Sequence, residues 1–211
     1  MRGKLITFEG IDGSGKSTQL RMLASELRLR GLDVLTTMEP GGTPLGRRLR
    51  AAFLETEEIV APLAELLLFA ADRAQHVNFT LKPALDAGKI VISDRYADAT
   101  AAYQGAGRGF DAHTIEQVVE LATDGLKPDL TLFFDVPVEK AIARTSSRTD
   151  AGEQKNRMDA ETAEFYERVR RAYLRIAESE PQRFVVIDGD GAVNEVKIKV
   201  SETVTEFLNR K

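Results

Sequence analysis

The sequence predicts an α/β fold in which a five-stranded parallel sheet carries helices on both faces. Three observations predict it. Short apolar runs alternate with segments of helical periodicity, which implies crossover connections and a sheet covered on both sides. A glycine-rich octapeptide, residues 10–17, stands at the first strand-to-helix junction. Glu9, Glu39, Asp94 and Asp135 fall at or just beyond the ends of strand-like runs, where parallel sheets bind their ligands.

Each element follows in order. Residues 4–9 read as a short buried strand. Residues 18–30 read as a helix, with Leu20, Leu23, Ala24 and Leu27 at i, i+3, i+4 and i+7. Gly31 ends it, and residues 32–37 form the second strand. Residues 39–44 hold two prolines and two glycines and read as a loop. Residues 45–54 are expected to be helical. Residues 62–81 are expected to form one long helix, buried because it is apolar almost all round near its start. Residues 89–93 form the third strand and 130–134 the fourth. Residues 144–157 are polar, charged and weakly periodic. Residues 161–177 form a helix with Phe165, Val169, Ala172, Tyr173 and Ile176 on one face. A fifth strand (184–187) and a closing helix (193–208) complete the chain.

With 211 residues and 43% hydrophobic content, the chain can build one sizeable core. A net charge of −4 gives no bulk basicity, so no nucleic-acid partner is expected. There are no cysteines, which excludes disulfides, thiolate catalysis and cysteine–zinc sites. No apolar run approaches the roughly 20 residues that span a bilayer, and because Met1-Arg2-Gly3-Lys4 runs straight into the first strand no secretory leader is expected. A cytoplasmic location away from membranes is therefore expected.

The octapeptide Gly10-Ile11-Asp12-Gly13-Ser14-Gly15-Lys16-Ser17 fits G-x-x-x-x-G-K-[ST], and strand and helix flank it correctly. Its glycines let backbone N–H groups curl around an anion, and the following helix adds its N-terminal partial charge. Lys16 would reach the terminal phosphates of ATP, and the Ser17 hydroxyl would sit on Mg²⁺. The expected architecture is thus a P-loop NTPase fold. No N-K-x-D segment is present to read guanine, and the chain is short for a motor or transporter ATPase. A small chain with an arginine-bearing polar segment fits a kinase that must shield a phosphoryl group from water.

Phe8-Glu9-Gly10 through Thr18, Glu39-Pro40-Gly41-Gly42-Thr43, Asp94-Arg95-Tyr96, Ala102-Tyr103-Gln104-Gly105 and Pro128-Asp129-Leu130 together resemble the thymidylate kinase (dTMP kinase) family, of the bacterial type, in order and spacing. The resemblance covers nearly the whole chain and thins after about residue 180. It implies a single nucleoside-monophosphate-kinase domain over residues 1–211, with a phosphate loop at 10–18 and a short mobile lid at about 144–157. The activity implied is transfer of the γ-phosphoryl group of ATP to dTMP, giving dTDP and ADP for dTTP biosynthesis, with Mg²⁺ as cofactor.

Residue by residue, the resemblance assigns Phe69 to stacking on the thymine ring. On helix pattern alone, Phe69 reads as core. Arg73, four residues on and hence on the same helix face, would donate to a thymine carbonyl. Thr100, Tyr103 and Gln104 match positions around base and sugar. Arg95 and Arg50 match the acceptor-phosphate arginines, and Glu39 is carried with the same pocket. Arg47 and Arg48 read as solvated. Asp12 matches an acidic loop residue facing the acceptor sugar and the water shell of magnesium. Asp94 ends its strand as a Walker B aspartate does. A magnesium role and a role holding Arg95 or Ser17 are both open to it.

One subtype of the family carries a basic residue directly after the acidic loop residue. This sequence has Gly13 there, and so resembles the subtype whose lid supplies the catalytic arginine. Arg148 matches that residue, Arg144 a lid-base position near adenine, and Arg157 a lid-end arginine. The choice between Arg148 and Arg157 as the main catalytic arginine is open. Catalysis would rest on Lys16, Arg95, Arg148 and Asp12; Thr18, Arg144 and Arg148 would join residues 10–17 in binding ATP. The rivals are another small nucleoside or nucleotide kinase and a nucleotide-driven switch ATPase. The family resemblance implies a homodimer. His76 and His113 read as structural.

Overall fold

The computed structural model describes residues 2–150 and 157–210, with residues 148–150 described along the backbone only. Strands β1 (Lys4–Glu9), β2 (Val34–Met38), β3 (Ile90–Asp94), β4 (Leu130–Asp135) and β5 (Phe184–Asp188) form one sheet in the order β2-β3-β1-β4-β5. All four pairings are parallel.

Alternation across the pleat sends side chains to both faces. Ile6 and Phe8 of β1, with Leu130, Leu132 and Phe134 of β4, pack against Leu20, Leu23 and Leu27 of α1 (Lys16–Leu29) and against Val196, Val200 and Val204 of α9 (Val193–Asn209). On the other face, Phe133 stacks on Tyr173 of α8 (Ala163–Ser179), ring centroids 4.8 Å apart, within a core cluster that includes Phe53 of α2 (Pro44–Leu54), Ala141 of α7 (Val138–Asp150) and Val169 of α8. Each fully buried side chain of this kind stabilises by roughly 1.5–3 kcal/mol. Helices on both faces explain why the strands read as continuous apolar runs. A buried hydroxyl pair, Thr7 and Thr131, bonds across β1 and β4 at 2.8 Å.

Register sets the upper rim. Phe8 and Met38 both stand opposite Asp94. Glu9, Glu39 and Arg95, each the next residue, therefore leave the sheet at one level. The backbone bonds Glu39 N–H to Asp94 C=O and Arg95 N–H to Phe8 C=O, both 2.9 Å, lock that level.

Four expectations need correction. Helix α3 (Pro62–His76) is not buried all round: Leu66 is fully buried, whereas Leu63 and Leu67 are 55% and 52% exposed. Nor is it one helix to Leu81. It passes through a π-helical turn (Val77–Leu81) into α4 (Lys82–Asp86), because Pro83 cannot donate to a carbonyl one turn back. Helix α6 (Ala112–Thr123) stands where no element was expected. Its signals were present: Asp111 caps it by accepting from Thr114 N–H at 2.9 Å, and Ile115 and Ala122 anchor it. Finally, α7 runs through Arg144 to Asp150, so the first half of the expected lid is helix. Its early turns are tied down by buried Val138 and Ala141. Among the described residues no helix is long and apolar enough to cross a membrane.

Candidate active site

The phosphate loop is a tight turn between β1 and α1. Gly15, at φ 87°, stands at the N-cap of α1 in the left-handed region where a side chain would be strained. Gly13 is constrained by space as well: a Cβ there would lie 2.2 Å from the Ala141 carbonyl oxygen of α7. That contact is with backbone and cannot yield without displacing α7. A basic side chain at position 13 is therefore excluded by packing, which gives a physical reason for the glycine beyond resemblance.

Charges converge on Asp12. Its carboxylate accepts from Arg95 Nη2 at 3.0 Å and from Lys16 Nζ at 3.3 Å. Burial pushes the Asp12 carboxyl up, but Arg95 and then Lys16 outweigh it and hold the group well below the usual carboxylate range. Lys16 also lies 3.9 Å from Asp94. The Ser17 hydroxyl donates to Asp94 Oδ2 at 2.6 Å. An oxygen pair of this kind suits Mg²⁺, a hard cation that keeps most of its water and shares phosphate oxygens.

Arg95 itself sits at φ 69°, uncommon for a long side chain and a strain of roughly 1–3 kcal/mol. The surroundings over-determine it. Ser93 Oγ donates to its carbonyl at 2.7 Å, and Tyr96 N–H donates to Glu9 Oε1 at 2.8 Å. Glu9 is fully buried and also accepts from the Tyr173 hydroxyl at 2.7 Å. Burial, and then the charge of Asp98, push its carboxyl up to about 8. The result aims the Arg95 guanidinium over the Tyr103 ring, 4.9 Å from its centroid.

A cavity of about 320 Å³ opens above the strand ends, and it is lined by Asp12, Glu39, Arg50, Phe69, Arg73, Arg95, Thr100, Tyr103 and Gln104 together with Lys16, Ser17 and Asp94. Phe69 is half-buried, its ring edge-to-face with Phe53 at 4.8 Å. Arg50 donates to the Pro40 carbonyl at 3.2 Å. Arg73 is 2% exposed and committed three ways: to Glu39 at 2.8 Å, to Thr100 Oγ1 at 2.7 Å and to the Tyr96 carbonyl at 2.9 Å. Thr100 ends the short helix α5 (Ala97–Thr100), and Tyr103 and Gln104 lie on the π-helical turn Ala101–Gly107 that follows it. The buried Arg95 Nη1 and Tyr103 hydroxyl, both on this cavity, meet no described partner in hydrogen-bonding geometry.

The arginines expected in a lid fall differently. Arg144 lies against the phosphate loop, donating to the Gly13 and Gly189 carbonyls, both at 3.4 Å. Arg148 is on the last turn of α7, and its side chain lies outside the described residues. Arg157 opens a 3₁₀ turn (Arg157–Ala160) and is anchored instead, donating to the Phe53 carbonyl at 3.1 Å and to Glu65.

The sequence assigns no binding or catalytic role to several groups at this site. Glu65 on α3, fully buried, accepts from Gln104, Arg108 and Arg157. Its signal was a lone carboxylate inside an otherwise apolar run, which must be paired to be buried. His76, read only as structural, bonds Glu39 Oε1 through Nδ1 at 2.8 Å and Thr37 through Nε2 at 2.7 Å. Asp72 accepts from Gly41 N–H at 3.1 Å beneath the Glu39–Pro40–Gly41 loop. Burial and the charge of Glu39 push its carboxyl up to about 6. Among the described residues no cluster of three or more histidine, aspartate and glutamate side chains forms a metal cage.

Known proteins share this arrangement over almost their whole length. The family model described as thymidylate kinase matches residues 8–200. A thymidylate kinase of Geotalea uraniireducens is 47% identical over 209 residues, 98% of each chain. One of Halothermothrix orenii is 45% identical over 208 residues, 99% of each chain. The crystal structure of thymidylate kinase from Ehrlichia chaffeensis superposes with a TM-score of 0.79 at 37% identity, covering 97% of this chain and all of that one. At such identities, end to end, the sheet order and the loop positions are inherited together, and the chain belongs to the thymidylate kinase family.

Proposed function

We propose that the chain moves the γ-phosphoryl group of ATP onto the 5′-phosphate of dTMP within one domain spanning residues 1–211. A dTMP phosphate oxygen forms the new P–O bond, the β–γ bridging bond breaks, and ADP and dTDP result. One observation carries the reading. A single cavity of nucleotide size joins the phosphate loop (Lys16, Ser17) to an aromatic and amide-lined end (Phe69, Gln104).

The acceptor is already an anion, so no strong general base is needed. The work is alignment and charge neutralisation. In this reading the loop amides of residues 10–18 and Lys16 hold the ATP phosphates. Arg95 and Arg50 hold the acceptor phosphate, and Asp12 orients Arg95 and Lys16 until nucleotide displaces that pairing. Phe69 stacks on the base, with Arg73, Thr100, Tyr103 and Gln104 around it and Glu39 fixing Arg73. Ser17 and Asp94 would hold Mg²⁺, which supplies charge neutralisation at the β- and γ-phosphates when bound. Arg148, carried by the segment 144–157, bridges donor and acceptor. Arg157 anchors the lid end, and Arg144 steadies the loop.

The exposed Leu63 and Leu67 face of α3 supports a homodimer. A cytoplasmic setting belongs to the same reading; the sequence has no cysteine, and among the described residues no helix is long and apolar enough to cross a membrane.

The test is coupled ADP release with ATP and Mg²⁺, offering dTMP, dUMP, dCMP, dGMP, dAMP and thymidine in turn. Rapid release with dTMP, with dTDP identified as product, is the expected outcome. Preference for thymidine removes the phosphate-binding role of Arg95. Slow release blind to every acceptor means a switch ATPase.

A further inference from the structure

Glu65 is a buried carboxylate that no step of the phosphoryl transfer uses. It lies under the base end of the cavity rather than on it. Four N–H groups from three side chains reach it: Gln104 Nε2 at 2.8 Å, Arg108 Nε at 3.1 Å and Nη2 at 3.0 Å, and Arg157 Nη2. Burial pushes its carboxyl up, but the bonds from Arg108, Arg157 and Gln104 outweigh burial and hold it below the usual glutamate value. Glu65 is therefore ionised near neutrality and can only accept.

That constraint reaches the cavity. An amide has a donating end and an accepting end, and only the donating end can face a carboxylate. Gln104 has its nitrogen committed to Glu65, and its carbonyl oxygen accepts from no described residue. The oxygen is the end left for the cavity that Gln104 lines. Arg73 lines the same cavity; its Nε, Nη1 and Nη2 each donate one N–H, to Glu39, Thr100 and the Tyr96 carbonyl in turn, and the second N–H of each Nη remains as a donor. An acceptor next to a donor complements a pyrimidine whose ring nitrogen carries hydrogen next to a carbonyl, as in thymine. Cytosine presents the reverse, a bare ring nitrogen next to an amino group, and would leave both protein groups opposed by like partners.

We propose that Glu65 is a positioning residue for base choice: by pinning the Gln104 amide with its oxygen toward the cavity, it sets the preference for a base with N3–H. Arg108 and Arg157 keep the pin charged. Arg108 is itself fixed by Glu161 at 2.6 Å and by the Phe165 ring, 4.9 Å from its centroid. The inference rests on the reading above that Gln104 faces the base.

The experiment is a double-mutant cycle on discrimination rather than on activity. kcat/KM for dTMP and for dCMP is measured in the wild type, Glu65→Gln, Gln104→Ala and the double variant. A neutral amide at position 65 can accept or donate, so Gln104 is free to turn over. The expected result is a dTMP:dCMP ratio lower by about tenfold or more in Glu65→Gln, carried mainly by KM for dTMP, with no further fall in the Gln104→Ala background. A role confined to folding lowers the melting temperature and leaves that ratio unchanged, which overturns the inference. If Gln104→Ala alone keeps the ratio, the placement of Gln104 at the base is wrong, a separate failure. Should Glu65→Gln not fold, the wild type still decides. In ¹⁵N-labelled protein the Gln104 Nε2 protons should exchange slowly and hold their shifts when dTMP is added. A large shift of those protons on dTMP binding means that the nitrogen faces the base, and the inference is lost.

Discussion

The phosphate loop and the Phe69–Gln104 end of the cavity, proposed above to take the base, share one rim but are built in opposite ways. The loop is local. Eight consecutive residues supply the turn, the lysine and the hydroxyl, and Asp12 and Lys16 bond to each other four positions apart. The base end is assembled from distance. Arg73 meets Glu39 across 34 positions, Gln104 meets Glu65 across 39, and Arg157 meets Glu65 across 92. The carboxylates differ accordingly. Asp12 and Glu39 both line the cavity, but the Asp12 side chain is a third exposed and held by Arg95 and Lys16 at its mouth, whereas the Glu39 side chain is 2% exposed and held by Arg73 and His76, and Glu65 is fully buried beneath Arg108 and Arg157. A local site tolerates loss of chemistry without loss of structure, and a distributed one does not.

Lys16→Ala tests the local half and carries the largest expected effect. Transfer should fall by about 10³-fold or more, while the melting temperature stays close to wild type, because among the described residues Lys16 pairs with Asp12 and Asp94, two partly exposed carboxylates that solvent can serve in its place. Near-normal turnover would refute the phosphate-loop reading. Arg148→Ala is next, with turnover lower by roughly 10²–10³-fold and dTMP affinity little changed. An equal loss in Arg157→Ala, together with normal turnover in Arg148→Ala, would transfer the catalytic role to Arg157.

Arg73→Ala strikes the distributed half, and here function and stability should fall together. Removing the guanidinium leaves Glu39 buried against His76 alone and strips a donor from Thr100. A broken buried pair costs roughly 3–5 kcal/mol. Weaker dTMP binding and poorer discrimination against dCMP should accompany a clear drop in melting temperature. Lost discrimination with an unchanged melting temperature would show that the two halves are not built differently after all.

The same contrast explains what could be read from the sequence. The octapeptide declares itself because its chemistry and its spacing lie in one stretch, and β1, β3 and β4 declare themselves because burial on both faces makes them mainly apolar, broken only by small hydroxyl residues and the charged strand ends. The carboxylates at strand ends were visible, but the register that levels Phe8, Met38 and Asp94 was not. Arg73 and Gln104 were legible only through family resemblance. Glu65 and Arg108 were not picked out at all, since their partners lie on other elements and a helical charge reads by default as solvated. The extent of α7 was hidden by its polar second half, which resembles a loop in composition while its first turns are tied into the core.

The smallest expected effect separates the two carboxylate environments by pH. Glu9, raised from an ordinary value near 4.5 to about 8, is protonated in the folded protein where the unfolded chain has it ionised. Its contribution to stability is fully present below the unfolded value and is lost as pH rises through about 8. Asp72, raised to about 6, adds a slope of the same sign at lower pH. Asp12 behaves inversely: its lowered group stabilises above the usual carboxylate range, and that contribution is lost only as pH falls through it. Between pH 6.5 and 8.5 the melting temperature should therefore decline, with a Glu9 contribution of at most about 1.4 kcal/mol per pH unit. Glu9→Gln keeps an acceptor for Tyr96 N–H and a polar partner for Tyr173, and should flatten the decline without removing the fold. Asp12→Asn should leave the slope in that window as it is in the wild type. If both variants keep the full slope, the proton sits elsewhere, and Glu9 supports Arg95 as an ionised group instead.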